Sequence, residues 1–218
     1  MPVLGVSSAL RIVTRHGSED MSYEERVRSL LRTDESILHQ QTLLYVGARE
    51  RTQLLELFVD AKFRITVLEA WAPNCALLRK RQDIHEIIQA DISELVTKTD
   101  RAWDVVLWWH GPEHVESQLL RRTLQDIKKI ARYMVVLGCP WGIYPQDSLY
   151  SNPYEVHVSH LYPEFFKELG YSTETLGRKD TPGSNITAWW KRAATCCCHG
   201  NRAANCRGLV EMETKPSR

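Results

Sequence analysis

The chain has 218 residues, 43% of them hydrophobic and 25% charged, which are ordinary proportions for a globular protein with enough length for one large α/β domain. A formal net charge of +1 with no dense basic stretch argues against a nucleic-acid partner. No apolar run reaches the length of a membrane span, and residues 1–20 lack the long apolar centre of a secretory signal, so no membrane partner and a cytoplasmic address are expected.

Residues 1–20 read as a poorly ordered lead. Ser22 followed by Glu25 has capping-box spacing, so a helix starts there with Val27, Leu30 and Leu31 as its apolar stripe. Lead and helix together fill residues 1–40. A first strand is predicted at Leu43–Val46, then a helix from about Thr52 carrying Leu54, Leu55, Leu57 and Phe58 at helical spacing. Arg64–Leu68 is the second strand, followed by a helix with Pro73 in its first turn. His85–Gln89 is a short third strand ending at Ala90-Asp91. Trp103–Trp109 is a nearly continuous apolar run, the pattern of a strand buried on both faces, with Trp108 and Trp109 facing opposite helical layers. A helix from Glu113 leads to a fifth strand, Tyr133–Leu137, and Gly138 to Pro145 reads as a loop. Pro163–Leu169 is a short helix closed by Gly170. Tyr171–Leu176 and Ser184–Lys191 flank the turn Asp180-Thr-Pro-Gly183, and so short a connection makes them antiparallel. Residues 41–192 form the folded domain, and 193–218 read as a flexible tail dispensable for stability.

The most informative pair is Gly47, closing the first strand, and Glu69, ending the second about twenty residues later. In a βαβ unit the turn lets a ligand approach the backbone, and the acid accepts hydrogen bonds from two ribose hydroxyls. Together with LLYVG, ITVLEAW, IIQADI, WDVVLWWHGPEHV, VVLGCPWG, NPYEVHVSHLYPEFFKELGY and SNITAWWK in this order, the chain resembles the class I S-adenosylmethionine-dependent methyltransferases from about Gln41 to Arg192. The resemblance implies a Rossmann-like, doubly wound α/β fold of seven strands, mostly parallel with a C-terminal antiparallel hairpin. It implies S-adenosyl-L-methionine as cofactor, with Gly47, Ala48 and Arg49 in the cofactor loop. Glu69 and Ala70 would serve the ribose, Asp91 and Ile92 the adenine, and Trp109 would border the methyl-transfer site. The implied activity is methylation of a small-molecule oxygen or nitrogen nucleophile.

The cofactor loop departs from the family pattern. Tyr45 stands where an acid is expected, and Arg49 and Arg51 stand where glycines are expected. Glycine there permits positive φ and close approach. Two readings follow: a divergent loop with an arginine pairing to the cofactor carboxylate, or a decayed site in an inactive, methyltransferase-like binding or scaffold protein. A nicotinamide-dependent oxidoreductase would need a glycine-rich turn for a pyrophosphate, which the chain lacks.

Beyond the fourth strand, His110 and His114 flank Gly111-Pro-Glu113, where ligands sit in open α/β sheets. His110 is a candidate base, with His157 and His160 in reserve. Trp141, Tyr144, Tyr154 and His114 are candidates for the substrate wall. Asp91 also fits a helix N-cap, and Glu113 a cap of its turn. Glu113 and His114 alone are a weak metal signal. Cys196, Cys197, Cys198, His199 and Cys206 match no zinc-finger spacing, so no metal is expected.

Overall fold

The computed structural model describes residues 22–32, 42–49, 53–60 and 62–193. The lead, Arg51, Thr52 and the Cys-rich tail lie outside the described residues. The elements are α1 (Tyr23–Arg32), β1 (Thr42–Val46), α2 (Gln53–Asp60), β2 (Arg64–Glu69), α3 (Ala72–Leu78), β3 (Glu86–Gln89), α4 (Ile92–Lys98), β4 (Trp103–Trp109), α5 (Ser117–Ile130), β5 (Ala131–Pro140), α6 (Pro163–Glu168), β6 (Ser172–Leu176) and β7 (Asn185–Lys191). Short 3-10 turns occupy Pro112–His114 and Pro153–Glu155. The seven strands form one sheet in the order β3-β2-β1-β4-β5-β7-β6. Strands β1 to β5 pair in parallel, and β7 runs antiparallel to both β5 and β6. No helix among the described residues is long and apolar enough to cross a membrane.

Side-chain alternation along the central strands sorts the core into two layers. Leu44, Val46, Val106, Trp108, Val135 and Leu137 pack with α4, α5 and α6. Leu43, Tyr45, Val105, Leu107, Trp109 and Val136 pack with α1, α2 and α3 on the other face. The expected division of Trp108 and Trp109 between layers holds. Every residue of β4 is buried, so its apolar run needs no polar face. The Ser22 capping box forms in both directions, Ser22 N to Glu25 Oε2 at 2.9 Å and Glu25 N to Ser22 Oγ at 3.3 Å. Gly170 ends the last helical segment at φ +77°.

Besides shifts of one or two residues at strand starts, two boundaries at the ligand edge differ from expectation. The segment at Glu113 is a 3-10 turn rather than the start of a helix. Val115 then adopts an extended conformation, and α5 begins only at Ser117. Strand β5 runs on through Gly138, Cys139 and Pro140, which the sequence places in a loop. The antiparallel β7 pairs with all three, opposite Thr187, Ile186 and Asn185. Gly138 has a packing reason. A Cβ there would lie 2.3 Å from the Trp109 ring, which rests against β5.

Hydrogen bonding ties α5 to the C-terminal hairpin. The buried Tyr171 hydroxyl donates to the Leu124 carbonyl at 2.7 Å, and burial raises its pKa. Tyr171→Phe is expected to lower unfolding free energy by about 1 kcal/mol in urea titrations. An unchanged midpoint would show that water serves this carbonyl as well.

Candidate functional site

The parallel strands end at one edge, and a cleft of 610 Å3 opens there between the tips of β1, β4 and β5 and the start of β7. Open α/β sheets bind ligands at this edge, where the chain leaves the sheet in opposite directions from adjacent strands.

The β1 side is built on a turn. Gly47 has φ +66°, its N–H donates to Leu68 O at 2.8 Å, and a Cβ added there meets no atom of the described residues within 4 Å. The backbone thus faces open cleft. Arg49 takes φ +47° without being glycine, a conformation that costs an L-residue about 1–2 kcal/mol. Its fixings offset that cost. Its N–H donates to Glu69 Oε2 at 3.3 Å, and its Nε lies 3.2 Å from Glu155 Oε1. One of the two readings of the loop pairs an arginine with a cofactor carboxylate. Within the chain the partner of the Arg49 side chain is Glu155, a buried acid that also accepts from Asn152 Nδ2 at 3.3 Å. Glu69 is buried at the end of β2. Its Oε1 accepts from Trp71 N at 2.9 Å, so the carboxylate pins the loops after β1 and β2 together. Each of its oxygens has two lone pairs and keeps one for a further donor.

The β4 side is a histidine and carboxylate group. His110 follows the strand at φ +51°, its N–H donating to Gly138 O at 2.8 Å, with its side chain half exposed. Glu113, 2% exposed, sits in the 3-10 turn. Its Oε1 lies 3.4 Å from His110 Nδ1 and 3.9 Å from His157 Nε2. The segment carrying His157 is bolted to this turn: Val158 N and Ser159 N both donate to Glu113 O at 3.0 Å, and Ser159 Oγ donates to Val115 O at 2.7 Å. His157 N donates to Gln146 O at 3.0 Å. Burial lowers the His157 pKa, partly opposed by its hydrogen bond to Tyr144 O. Burial also raises the Cys139 thiol, with the Glu113 charge adding to it.

Strand β7 completes the wall. Because it is antiparallel, its first residue lies at the edge where β5 ends. Ser184 Oγ, Asn185 Oδ1 and Glu113 Oε2 are buried, line the cleft and have no hydrogen-bond partner among the described residues. Buried polar atoms are rarely left this way without a ligand or water to serve them.

The structure brings together Gly47, Arg49, Trp109, His110, His114, Tyr144 and His157 as lining residues. Others do not line the cleft, Glu69 among them: it lies behind the Gly47 turn and bonds the backbone of Arg49 and Trp71. Ala48 and Ile92 are buried in the two core layers. Ala70 turns the chain after β2 outside the cleft. Asp91 caps α4, accepting from Ser93 N at 2.8 Å, which is the capping role the sequence also allowed. Trp141 packs on the opposite core layer because Gly138 to Pro140 continue as strand and carry it past the opening. Tyr154 and His160 are exposed away from the lining. Tyr45, Glu155, Gln146, Ser184 and Asn185 were not singled out as lining residues. The antiparallel hairpin alone could have placed Asn185, since it brings the start of the last strand to the ligand edge.

Likeness to solved structures follows the sheet topology. A 1,6-didemethyltoxoflavin-N1-methyltransferase from Burkholderia thailandensis, solved with that compound and S-adenosylhomocysteine, superposes with a TM-score of 0.57 at 14% identity, over 79% of each chain. The N-terminal domain of EvdMO1 with S-adenosylhomocysteine bound gives 0.56 at 18% identity, over 79% of this chain and 82% of that one. A methyltransferase from Archaeoglobus fulgidus gives 0.52 at 16%, over 78% and 94%. The fold is that of the class I methyltransferases. By sequence, no protein-family model matches the chain and no curated protein matches it. Within the methyltransferase fold, the cleft described here occupies the ligand edge of the sheet.

Proposed function

We propose that the chain is an S-adenosylmethionine-dependent methyltransferase acting on an oxygen or nitrogen nucleophile of a small molecule. The observation that carries this reading is a cleft with an open glycine turn on one side, braced from behind by the buried strand-end acid Glu69, and a histidine group backed by a carboxylate on the other. Its volume falls in the range of small-molecule sites, about 300–1,000 Å3.

The residues fit the cofactor. Gly47 leaves space where a side chain would intrude, and Arg49 holds the turn in the left-handed shape that a glycine would otherwise supply. Glu69 lies behind this turn with lone pairs left for ribose hydroxyls. When bound, S-adenosylmethionine supplies a methyl group on a sulfonium, which becomes a neutral thioether as an acceptor lone pair takes the methyl. The chain supplies alignment, and holding two reactants in one orientation lowers a barrier by about 7–11 kcal/mol. Trp109 and Tyr144 offer flat walls for an acceptor. His110, exposed at the cleft and next to Glu113, accepts a hydrogen bond and then the proton from the acceptor's O–H or N–H. His110→Ala is expected to slow transfer by roughly 10²-fold or more while leaving cofactor affinity unchanged.

The test is incubation of the protein with methyl-labelled S-adenosylmethionine and a small-molecule extract, followed by mass spectrometry. Label is expected in the small-molecule fraction. Label confined to protein or nucleic acid would overturn the acceptor class. Cofactor binding without transfer to any fraction would make the chain a binding protein.

A further inference from the structure

The buried acid and two of the histidines are arranged in a way that methyl transfer does not require. His114 Nδ1 lies 3.1 Å from Val156 O, and His157 Nδ1 is hydrogen-bonded to Tyr144 O. A carbonyl oxygen only accepts, so Nδ1 of each ring carries the proton and donates it. The Nε2 atom of each ring is then the lone-pair side. One nitrogen of each ring and a Glu113 carboxylate oxygen lie within 4.8 Å of one another. Glu113 is almost fully buried, and its Oε2 finds no donor among the described residues. His157 Nε2 lies 3.9 Å from Glu113 Oε1, and a His114 nitrogen completes the cluster at the cleft wall. A backbone-bonded Nδ1–H that fixes the tautomer and aims Nε2 inward is the usual outer support of a metal-bound histidine. The sulfonium of the proposed cofactor does not explain the arrangement, because it takes no coordinate bond from an imidazole.

We propose that Glu113, His114 and His157 bind one divalent transition-metal cation at the cleft, with a coordination position left open toward the interior. Two imidazoles and one carboxylate suit zinc, iron(II), cobalt(II) or manganese(II) rather than magnesium or calcium, which prefer all-oxygen sites. Sequence spacing does not reveal the site, because its third ligand arrives from a distant segment through the Val158, Ser159 and Glu113 backbone hydrogen bonds. One consequence rests on the methyl-transfer reading: an open position on the cation would favour acceptors with an oxygen donor, which it would polarise.

Cobalt(II) titrated into the metal-stripped, full-length protein tests the proposal without methyl donor or acceptor, so it succeeds or fails independently of the methyl-transfer reading. The expected result is one tightly bound cobalt per chain with visible d–d bands and no thiolate charge-transfer band. Glu113→Gln and His157→Ala should each weaken binding by more than roughly 100-fold, the upper end of what losing an outer-shell partner does. Glu113→Gln should leave the metal-free protein folded and at least as heat-stable, since it removes a buried charge among acceptors. A purely structural carboxylate would instead lower its melting temperature. No binding, or binding with a thiolate band that survives in both variants and so belongs to the Cys-rich tail, would overturn the proposal.

Discussion

Glu69→Ala is expected to weaken S-adenosylhomocysteine binding at least tenfold in calorimetric titrations. The carboxylate ends β2 behind the Gly47 turn and accepts hydrogen bonds from the N–H groups of Arg49 and Trp71. Removing it deletes the hydrogen bonds to the loop and, on the proposed reading, charge-assisted bonds to the ribose worth about 1.5–3 kcal/mol each. Two backbone donors would also lose their acceptor, so thermal stability should fall with affinity. Glu69→Gln keeps one acceptor oxygen and should give an intermediate loss. Unchanged affinity in the alanine variant would show that the strand-end acid serves only the loops.

The second large effect is expected at Gly138. A methyl group there would overlap the Trp109 ring, whose nearest atom would be 2.3 Å away. Strand β5 is hydrogen-bonded on both sides and cannot yield. The ring must move instead, and it lines the cleft. Gly138→Ala should therefore lower unfolding free energy by about 1–3 kcal/mol, as overpacked cores do, and reduce cofactor affinity as well. Urea denaturation and calorimetry read the two effects separately. Loss of stability with full affinity would mean that Trp109 contributes to the core and not to the ligand.

Much of the fold was legible because its rules are local. The apolar run Trp103–Trp109, interrupted only by Asp104, marked the central strand, and alternation assigned Trp108 and Trp109 to opposite layers. Ser22 with Glu25, and Gly170 after Glu168, marked helix ends through chemistry within one turn. The short turn before β7 fixed the antiparallel hairpin. What escaped is set by contacts between distant segments. Gly138 to Pro140 look like a loop until β7 pairs with them. Trp141 was expected at the pocket because its loop was expected to begin earlier. Asp91 caps its helix through Oδ1, a use compatible with a ligand contact. Glu113 appeared to open a helix, whereas Pro112 and Gly111 fold it into a separate turn that His157 then meets. At Arg49 the sequence leaves open whether the loop is a divergent or a decayed one. The left-handed shape survives because Glu155, remote in sequence, holds the side chain while Glu69 holds the backbone.

The most direct test of the central claim is isothermal titration of the wild-type protein with S-adenosylmethionine and S-adenosylhomocysteine. Binding of either at one site per chain, with an affinity on the order of micromolar (about 8 kcal/mol), competitive between the two and lost in Glu69→Ala, is the result predicted. A folded protein that binds neither ligand would contradict the account.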